Sequence, residues 1–263
     1  MAITPEKMPV EVWGEGEPVV LLHGSGAPEP MSLTTWAKQL PLAERYRLMM
    51  PTRRGYGERP VRMPDDVEGD VGDLLGLLEE LGGAHLVGFS YGGVVSLVAA
   101  PRHPELIWSL AVIEPPALKV ARGWAGADAQ ARQLSQFEPP PEGFTPEEFK
   151  RRFMRLLGQQ PPEEMVLSPV ERKAVLAHMA EKPPFLVDIP LDDLEQTTFP
   201  KLVISGDWNP AMDAVADVLT ERLHAERFVL KGWWHNVQRG GEPFNRRLEA
   251  FWQAADVRRK AGG

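Results

Sequence analysis

The chain has 263 residues, of which 43% are hydrophobic and 25% charged, a composition typical of a globular protein and not of disordered, coiled-coil or collagen-like chains. Its formal net charge of -8 argues against nucleic acid as a partner, because phosphate backbones are bound by clustered Lys and Arg. The sequence contains no cysteine, which excludes disulfide bonds and thiolate metal sites.

Short apolar runs alternate with helical patterns along the chain, and this alternation predicts βαβ units and a mainly parallel sheet. The first residues lack the basic and apolar regions of a secretory signal, and no apolar run approaches the roughly 18 residues of a membrane span. We therefore expect a cytoplasmic protein with no membrane partner. In chain order, the predicted strands are 10–13, 19–22, 47–50, a run ending at 89, 110–113, 202–205 and 227–230, and the predicted helices are 67–81, 94–100 and 211–223.

The strand pattern is interrupted in the middle of the chain, where the sequence is rich in proline and helical in between. Two helix starts in this stretch, at Thr145 and Ser168, each combine a hydroxyl cap, a proline at the first helical position and a glutamate three residues after the cap. We predict that residues 117–199 form a helical cap over the carboxyl ends of the strands. Residues 1–116 and 200–263 are predicted to form one core domain.

Residues 88–92 (GFSYG) form a G-x-S-x-G pentapeptide between a buried strand and an apolar helix. Glycines on both sides let the backbone turn sharply, which lifts the hydroxyl of Ser90 out of the sheet edge toward a cleft. Ser90 is therefore the predicted nucleophile. A serine hydroxyl is a poor nucleophile at neutral pH, so it needs a base to take its proton and a carboxylate to hold that base.

Six histidines compete for the role of base, and His235 is the predicted one because it lies in a loop after the last strand. His23 follows an early strand and is expected to shape the loop whose backbone N–H holds an oxyanion. His178 lies in a cap helix, and we expect it on an exposed face of that helix, with a contact to the substrate as the alternative. The others lie at the wrong end of the nucleophile strand or in polar, solvated surroundings: His85, His103 and His224.

Several features together resemble the α/β-hydrolase family: His23-Gly24 after an early strand, residues 54–57 (RGYG), the serine pentapeptide, the helical insertion and the late His235. The resemblance covers nearly the whole chain. It implies an α/β-hydrolase fold, in which a mostly parallel central sheet is flanked by helices and carries a helical cap insertion. It also implies that the backbone amides of Ser25 and Tyr91 form the oxyanion hole.

The sequence departs from the commonest family pattern at the acid. Three residues after Gly206, where the family usually has Asp, the chain has Asn209, whose amide cannot balance an imidazolium and is predicted to cap the next helix. Glu114 is the favoured acid, because a right-handed crossover places its strand beside that of Ser90. Asp207 is the alternative. In taking the acid from that strand end, the chain resembles haloalkane dehalogenases and certain lactone hydrolases.

A serine nucleophile with an oxyanion hole performs acyl transfer, so we predict hydrolysis of a small carboxylic ester or lactone with apolar groups through an acyl-enzyme. Amide hydrolysis, C–C bond hydrolysis and perhydrolysis use the same residues and stay open, as does a catalytically silent ligand-binding protein. Gly24, Trp124 and Trp208 are the predicted substrate contacts. Without HExxH, phosphate-loop or dinucleotide motifs, we expect no cofactor and no metal, and the sequence leaves the oligomeric state open.

Overall fold

The computed structural model of the chain describes residues 8–60, 67–135, 143–157 and 159–262. Its strands are β1 (Val10–Trp13), β2 (Glu17–Leu22), β3 (Tyr46–Pro51), β4 (Ala84–Phe89), β5 (Ile107–Ile113), β6 (Lys201–Ser205) and β7 (Glu226–Val229). Its α-helices are α1 (Val67–Leu81), α2 (Tyr91–Ala99), α3 (Ala125–Ser135), α4 (Pro146–Leu156), α5 (Pro169–Ala180), α6 (Leu191–Gln196), α7 (Pro210–Arg222) and α8 (Glu242–Gly262).

The seven strands form one sheet in the order β1-β3-β2-β4-β5-β6-β7, in which β1 runs antiparallel to β3 and every other neighbouring pair is parallel. The predicted α/β fold with a mostly parallel sheet is confirmed. Strands β4 and β6 are buried along their whole length, as expected for parallel strands covered by helices on both faces. Strand β5 begins earlier than predicted, because Ser109 is a buried polar residue that breaks the apolar pattern without breaking the strand.

Several helix ends follow directly from their local sequence. Helix α1 has the predicted bounds and ends where Gly82 adopts a φ of 68° and the amide of Gly83 donates to the carbonyl of Leu78 at 3.0 Å. The capping boxes predicted at Thr145 and Ser168 are both present, at the starts of α4 and α5. Helices α3 and α6 are not predicted individually, because they carry few large apolar residues. Helix α8 is not predicted either, although Phe244, Leu248, Phe251, Trp252 and Ala255 recur at helical spacing.

Apolar helices cover both faces of the sheet. One face packs against α1, α2 and α7, with Leu74, Val94 and Val215 fully buried. The other face packs against α8, whose Phe251 and Trp252 are equally buried. Among the described helices, none combines the length with the apolar character that crossing a membrane would require.

The carboxyl ends of the central strands lie in register, and this register positions the site. Leu22 of β2 pairs with Gly88 of β4, Phe89 of β4 pairs with Ile113 of β5, and Ile113 pairs with Ile204 of β6. The residues that follow these pairs therefore emerge side by side at one edge. The helices of the segment 117–199 line a cavity at this edge, and the division into a core and a cap domain stays a prediction.

Candidate active site

Ser90 lies on a sharp turn between β4 and α2. Its backbone adopts φ 53° and ψ -121°, a positive φ that is rare for a residue with a side chain, and its amide donates to the carbonyl of Ile113 at 2.8 Å. Close packing requires the neighbouring glycines: a Cβ on Gly92 would lie 2.3 Å from the carbonyl oxygen of Leu22, and one on Gly24 would lie 2.7 Å from Cβ of Ser90. The turn therefore presents the hydroxyl of Ser90 in one fixed place.

His235 comes from the loop after β7 and contacts Ser90 directly. Its Nε2 lies 2.9 Å from Oγ of Ser90. The ring packs between Phe89, at a centroid distance of 5.1 Å, and Trp208, at 6.0 Å, and only 12% of the side chain is exposed. The preceding Trp234 has a φ of 46°, so the loop enters the site through a backbone conformation that is uncommon for a bulky residue.

Glu114 directly follows β5 beside the turn of Ser90, and its side chain is buried. Its Oε2 lies 3.4 Å from Nδ1 of His235. The amide of Gly206 donates to Oε1 and the indole of Trp208 donates to Oε2, both at 2.8 Å, and these donors compensate for burying a carboxylate. An Nδ1–H that points to Glu114 leaves Nε2 of His235 without a hydrogen, as an acceptor for the proton of Ser90.

Asp207, the alternative acid, lies apart from the histidine. Its side chain is 46% exposed and forms an ion pair with Lys231. Asn209 caps α7 as predicted, with its Oδ1 accepting from the amide of Ala211 at 2.8 Å. The structure thus brings Glu114, and neither Asp207 nor Asn209, into contact with His235.

The four residues 23–26, called the oxyanion loop after the role predicted for them, follow β2 and pass next to Ser90. Nε2 of His23 accepts from the amide of Arg53 at 3.1 Å, so its Nδ1 carries the hydrogen and donates to the carbonyl of Gly24 at 2.7 Å. Burial, and then the charge of Arg53, lower the pKa of His23 to about 3. The Ser25 amide has no hydrogen-bond partner among the described residues. Tyr91, whose amide is the other predicted donor, is buried at the start of α2.

A cavity of about 200 Å³ opens onto Ser90, His235 and the oxyanion loop. Its walls come from α3, α4, α5 and α7 and from the strand ends. Its apolar lining consists of Phe89, Pro116, Leu118, Leu134, Phe149, Phe153, Leu156, Leu157, Pro184, Phe185, Trp208 and Met212, and its polar lining consists of Ser25, Ser90, Gln130, His178, Asn209, His235 and Asn236. No Lys, Arg, Asp or Glu occurs among the described residues that line it.

Two expectations about the cavity need correction. Trp124 lies outside the lining and is 52% exposed, because it precedes α3 at the end that faces solvent. His178 does not lie on an exposed helix face: its ring packs edge-on against Phe149 and Phe153 at 4.9 Å and 4.6 Å and faces the cavity. Burial lowers the pKa of His178, so the ring is neutral at neutral pH.

The other two predicted substrate contacts lie at the reacting end. Trp208 lines the cavity while its indole holds Glu114, and Gly24 lies against Ser90 without lining the cavity. Sequence reasoning missed a buried group behind the oxyanion loop, formed by Arg53, Tyr56 and Glu181. Tyr56 lies in the RGYG segment that carries the family resemblance, whereas no pattern in the sequence marks Glu181.

Among the described residues, no group of three or more His, Cys, Asp or Glu side chains has an arrangement that could hold a metal ion. The titratable side chains at the site are instead paired with hydroxyl, indole and amide groups. The arrangement can transfer a proton from a hydroxyl to an imidazole beside an apolar cavity.

A model of the alpha/beta hydrolase family matches residues 19–252. The chain belongs to the α/β-hydrolase family. The matched range includes Ser90, Glu114 and His235, and the sheet, the turn at Ser90 and the late histidine loop are those of an α/β hydrolase.

Relatives within the family act on different substrates. A 2-hydroxy-6-oxo-2,4-heptadienoate hydrolase of Pseudomonas putida is 38% identical over 105 residues, which cover 38% of this chain and 38% of that protein. A pimeloyl-(acyl-carrier protein) methyl ester esterase of Methylococcus capsulatus is 30% identical over 179 residues, or 66% of this chain and 65% of that protein. The alignments thus span less than two thirds of either relative.

Among solved structures, an enol-lactonase from Burkholderia xenovorans aligns with a TM-score of 0.62 at 21% identity, covering 94% of this chain and 96% of that chain. An α/β hydrolase from Sphaerobacter thermophilus aligns with a TM-score of 0.64 at 24% identity, covering 93% and 96%. These likenesses extend over nearly the whole chain and show a shared fold.

Proposed function

We propose that this α/β hydrolase cleaves a small, uncharged carboxylic ester or lactone with apolar groups, and that it does so through an acyl-enzyme on Ser90. The observation that carries the proposal is the continuous line of contacts from Ser90 to His235 at 2.9 Å and from His235 to Glu114 at 3.4 Å, facing an apolar cavity. A nucleophile, a base and an orienting acid in mutual contact are what acyl transfer requires.

In the first half of the reaction, Oγ of Ser90 attacks the substrate carbonyl carbon while Nε2 of His235 takes the hydroxyl proton. Glu114 stabilises the imidazolium that forms. The amides of Ser25 and Tyr91 bind the negative oxygen of the tetrahedral intermediate. When the intermediate collapses, His235 returns the proton to the leaving alcohol oxygen, and the acyl group stays on Ser90.

In the second half, a water molecule takes the place of the alcohol. His235 accepts a proton from the water as its oxygen attacks the acyl carbon, and a second tetrahedral intermediate forms at the same amides. Collapse of this intermediate releases the carboxylic acid and restores the hydrogen on Ser90. Because protonated imidazole cannot accept a proton, activity is expected to fall in acid.

The lining of the cavity supports an uncharged substrate. Its walls are aliphatic and aromatic, and no cationic side chain among the described lining residues could pair with a carboxylate. Burying an anion without such a partner is strongly unfavourable. Neutral polar groups of a substrate find partners instead in His178 and Asn236, which both face the cavity.

A C–C bond hydrolase is the second candidate, and the relative in Pseudomonas putida, a heptadienoate hydrolase, favours it. A dienoate carries a carboxylate, which the lining described above does not match. The hypothesis of ester hydrolysis also has support from a relative, the methyl ester esterase of Methylococcus capsulatus. The chemistry of the cavity therefore ranks the ester or lactone above the dienoate.

A p-nitrophenyl ester series from acetate to decanoate, a lactone panel and a dienoate diketone test this ranking. We expect kcat/KM to peak at short or medium acyl chains, because a cavity of about 200 Å³ does not enclose a long one. Ser90→Ala is the matched control and should abolish turnover and fluorophosphonate labelling. Turnover of the dienoate alone would favour the C–C hydrolase, and a wild-type protein that is not labelled would favour a silent binder.

A further inference from the structure

A single carboxylate from the cap segment reaches the back of the oxyanion loop. Glu181 directly follows α5, and its side chain is only 3% exposed. Its Oε1 accepts from Nη2 of Arg53 at 2.7 Å and from the hydroxyl of Tyr56 at 2.8 Å, and its Oε2 accepts from the hydroxyl of Ser25. Three donors make the burial of this carboxylate tolerable.

The oxyanion loop is tied to the same carboxylate a second time through Tyr56. The amide of Gly26 donates to the hydroxyl oxygen of Tyr56 at 2.9 Å, and that hydroxyl donates its own hydrogen to Glu181. Burial, and then the charge of Glu181, raise the pKa of Tyr56 well above its ordinary value, so the phenol keeps its proton. Ser25 is thereby fixed through its own side chain and through the residue that follows it.

The charges of the buried group explain why the neutral donors are needed. Arg53 pairs with Asp70 of α1 at 2.8 Å and with Glu181 at 2.7 Å. Burial alone would lower the pKa of Arg53, but the two carboxylates outweigh it and hold that pKa well above the ordinary value. One cation between two anions leaves one negative charge in excess, and the hydroxyls of Ser25 and Tyr56 solvate it.

We propose that Glu181 is a positioning residue, which acts through Ser25 to fix the oxyanion loop when α5 packs against the core. The inference rests on the proposed function, because it assigns the Ser25 amide to the developing oxyanion. Glu181 is absent from the lining of the cavity, so it has no substrate to touch there. If a donor shifts away from the oxyanion, the enzyme binds the transition state more weakly, whereas its binding of the substrate in the ground state does not change.

The decisive variant is Glu181→Gln, which keeps the size of the side chain and removes its charge. We expect kcat per active site to fall about 10- to 100-fold while KM changes by less than about threefold. Active sites are counted by labelling with a fluorophosphonate to completion, so that unfolded molecules do not contribute. The matched control is Glu171→Gln in the first turn of α5, where the carboxylate pairs with Lys150 and caps the helix, and where kcat should stay unchanged.

A second measurement separates positioning from a merely structural role. A trifluoromethyl ketone forms an oxyanion on Ser90, so its affinity should fall by the same factor as kcat/KM in Glu181→Gln, whereas the affinity for the carboxylic acid product should not change. Equal affinity of variant and wild type for the ketone, or an unchanged kcat per labelled site, overturns the inference.

Ser25→Ala removes the hydroxyl and keeps the amide, which makes a double-mutant cycle possible. If Glu181 acts through Ser25, the loss of kcat in the double variant should be smaller than the product of the two single losses, and a full product contradicts the inference. If Glu181→Gln does not fold, Ser25→Ala and Tyr56→Phe decide, since both keep the pair of Arg53 and Glu181 and should still lower kcat at constant KM. A wild-type protein without esterase activity would instead contradict the proposed function.

Discussion

Two buried polar groups support the site around Ser90, one through His235 and the other through Ser25, and they are assembled in different ways. Glu114 reaches the edge of the sheet because it follows β5, which lies in register with the strand before Ser90, and Gly206, whose amide donates to Glu114, follows β6. The group of Arg53, Tyr56 and Glu181 is instead completed by the residue that directly follows α5, 128 residues along the chain from Arg53.

The difference shows that one part of the site depends on the sheet and its loops, whereas the other part depends on the packing of α5. The register of parallel strands is set by backbone hydrogen bonds, so the contacts among Ser90, His235 and Glu114 need only the sheet and its loops. The contacts of Glu181 need α5 to pack in one particular place. We therefore expect substitutions in the first group to affect mainly the chemistry, and substitutions in the second group to affect mainly the stability and the placement of the oxyanion loop.

The largest expected effect is a loss of kcat that distinguishes Glu114 from Asp207 as the acid behind His235. Glu114→Gln keeps the shape of the side chain but cannot balance the imidazolium, so kcat should fall about 10³- to 10⁴-fold. Asp207→Asn is the matched control, because it removes a carboxylate only from an ion pair with Lys231, and kcat should stay within about twofold. Steady-state kinetics on the best ester measure both, and the reverse order of effects would move the role of the acid to Asp207.

The next effect concerns the stability of the second group. Arg53→Met leaves Asp70 and Glu181 buried without a cation, and removing one partner of a buried ion pair costs about 3–5 kcal/mol of unfolding free energy. Arg102→Met breaks an exposed pair with Glu68, with side chains 42% and 55% exposed, and should cost at most about 1 kcal/mol. Urea unfolding of the two variants tests this contrast, and equal losses would show that the buried group is not a centre of stability.

The same contrast explains what the sequence could predict. The sheet, the bounds of α1, the turn at Ser90 and the capping boxes follow from local patterns, because strand alternation, glycine turns and helix caps act over a few residues. The sequence also favoured Glu114 over Asp207 as the acid, from the topology of one crossover. That assignment stays a prediction until the variants are measured.

Residues whose placement depends on tertiary packing were not predictable in this way. Nothing in the sequence around Glu181 distinguishes it from a solvated carboxylate at a helix end, and its burial arises only when α5 packs beside the oxyanion loop. His178 was expected on an exposed face for the same reason, since the sequence does not say which side of α5 meets Phe149 and Phe153. The exposed Trp124 is the converse case, an aromatic residue that no packing covers.

The smallest expected effect concerns the loss of stability in acid, and it arises from His85 near the amino end of β4, at the opposite edge of the sheet from Ser90. Burial lowers the pKa of His85 to about 4, although Asp256 opposes the shift, so the folded protein holds this ring neutral while the unfolded chain protonates it near its ordinary value of 6.5. The unfolded state therefore binds more protons between about pH 4 and 6.5, and stability, full above this window, is lost as the pH falls through it. One such histidine contributes a slope of about 1.4 kcal/mol per pH unit.

His85→Gln tests this slope without disturbing the reacting edge. The amide can keep the hydrogen bond with Ser109 that the imidazole makes at 2.9 Å, and it does not titrate. The slope of unfolding free energy against pH should therefore decrease by about 1.4 kcal/mol per unit between about pH 4 and 6.5, while kcat near pH 8 stays unchanged. His23, in the oxyanion loop, is the other buried histidine with a strongly lowered pKa. If the slope does not change in His85→Gln, the loss of stability in acid would be assigned to His23 instead.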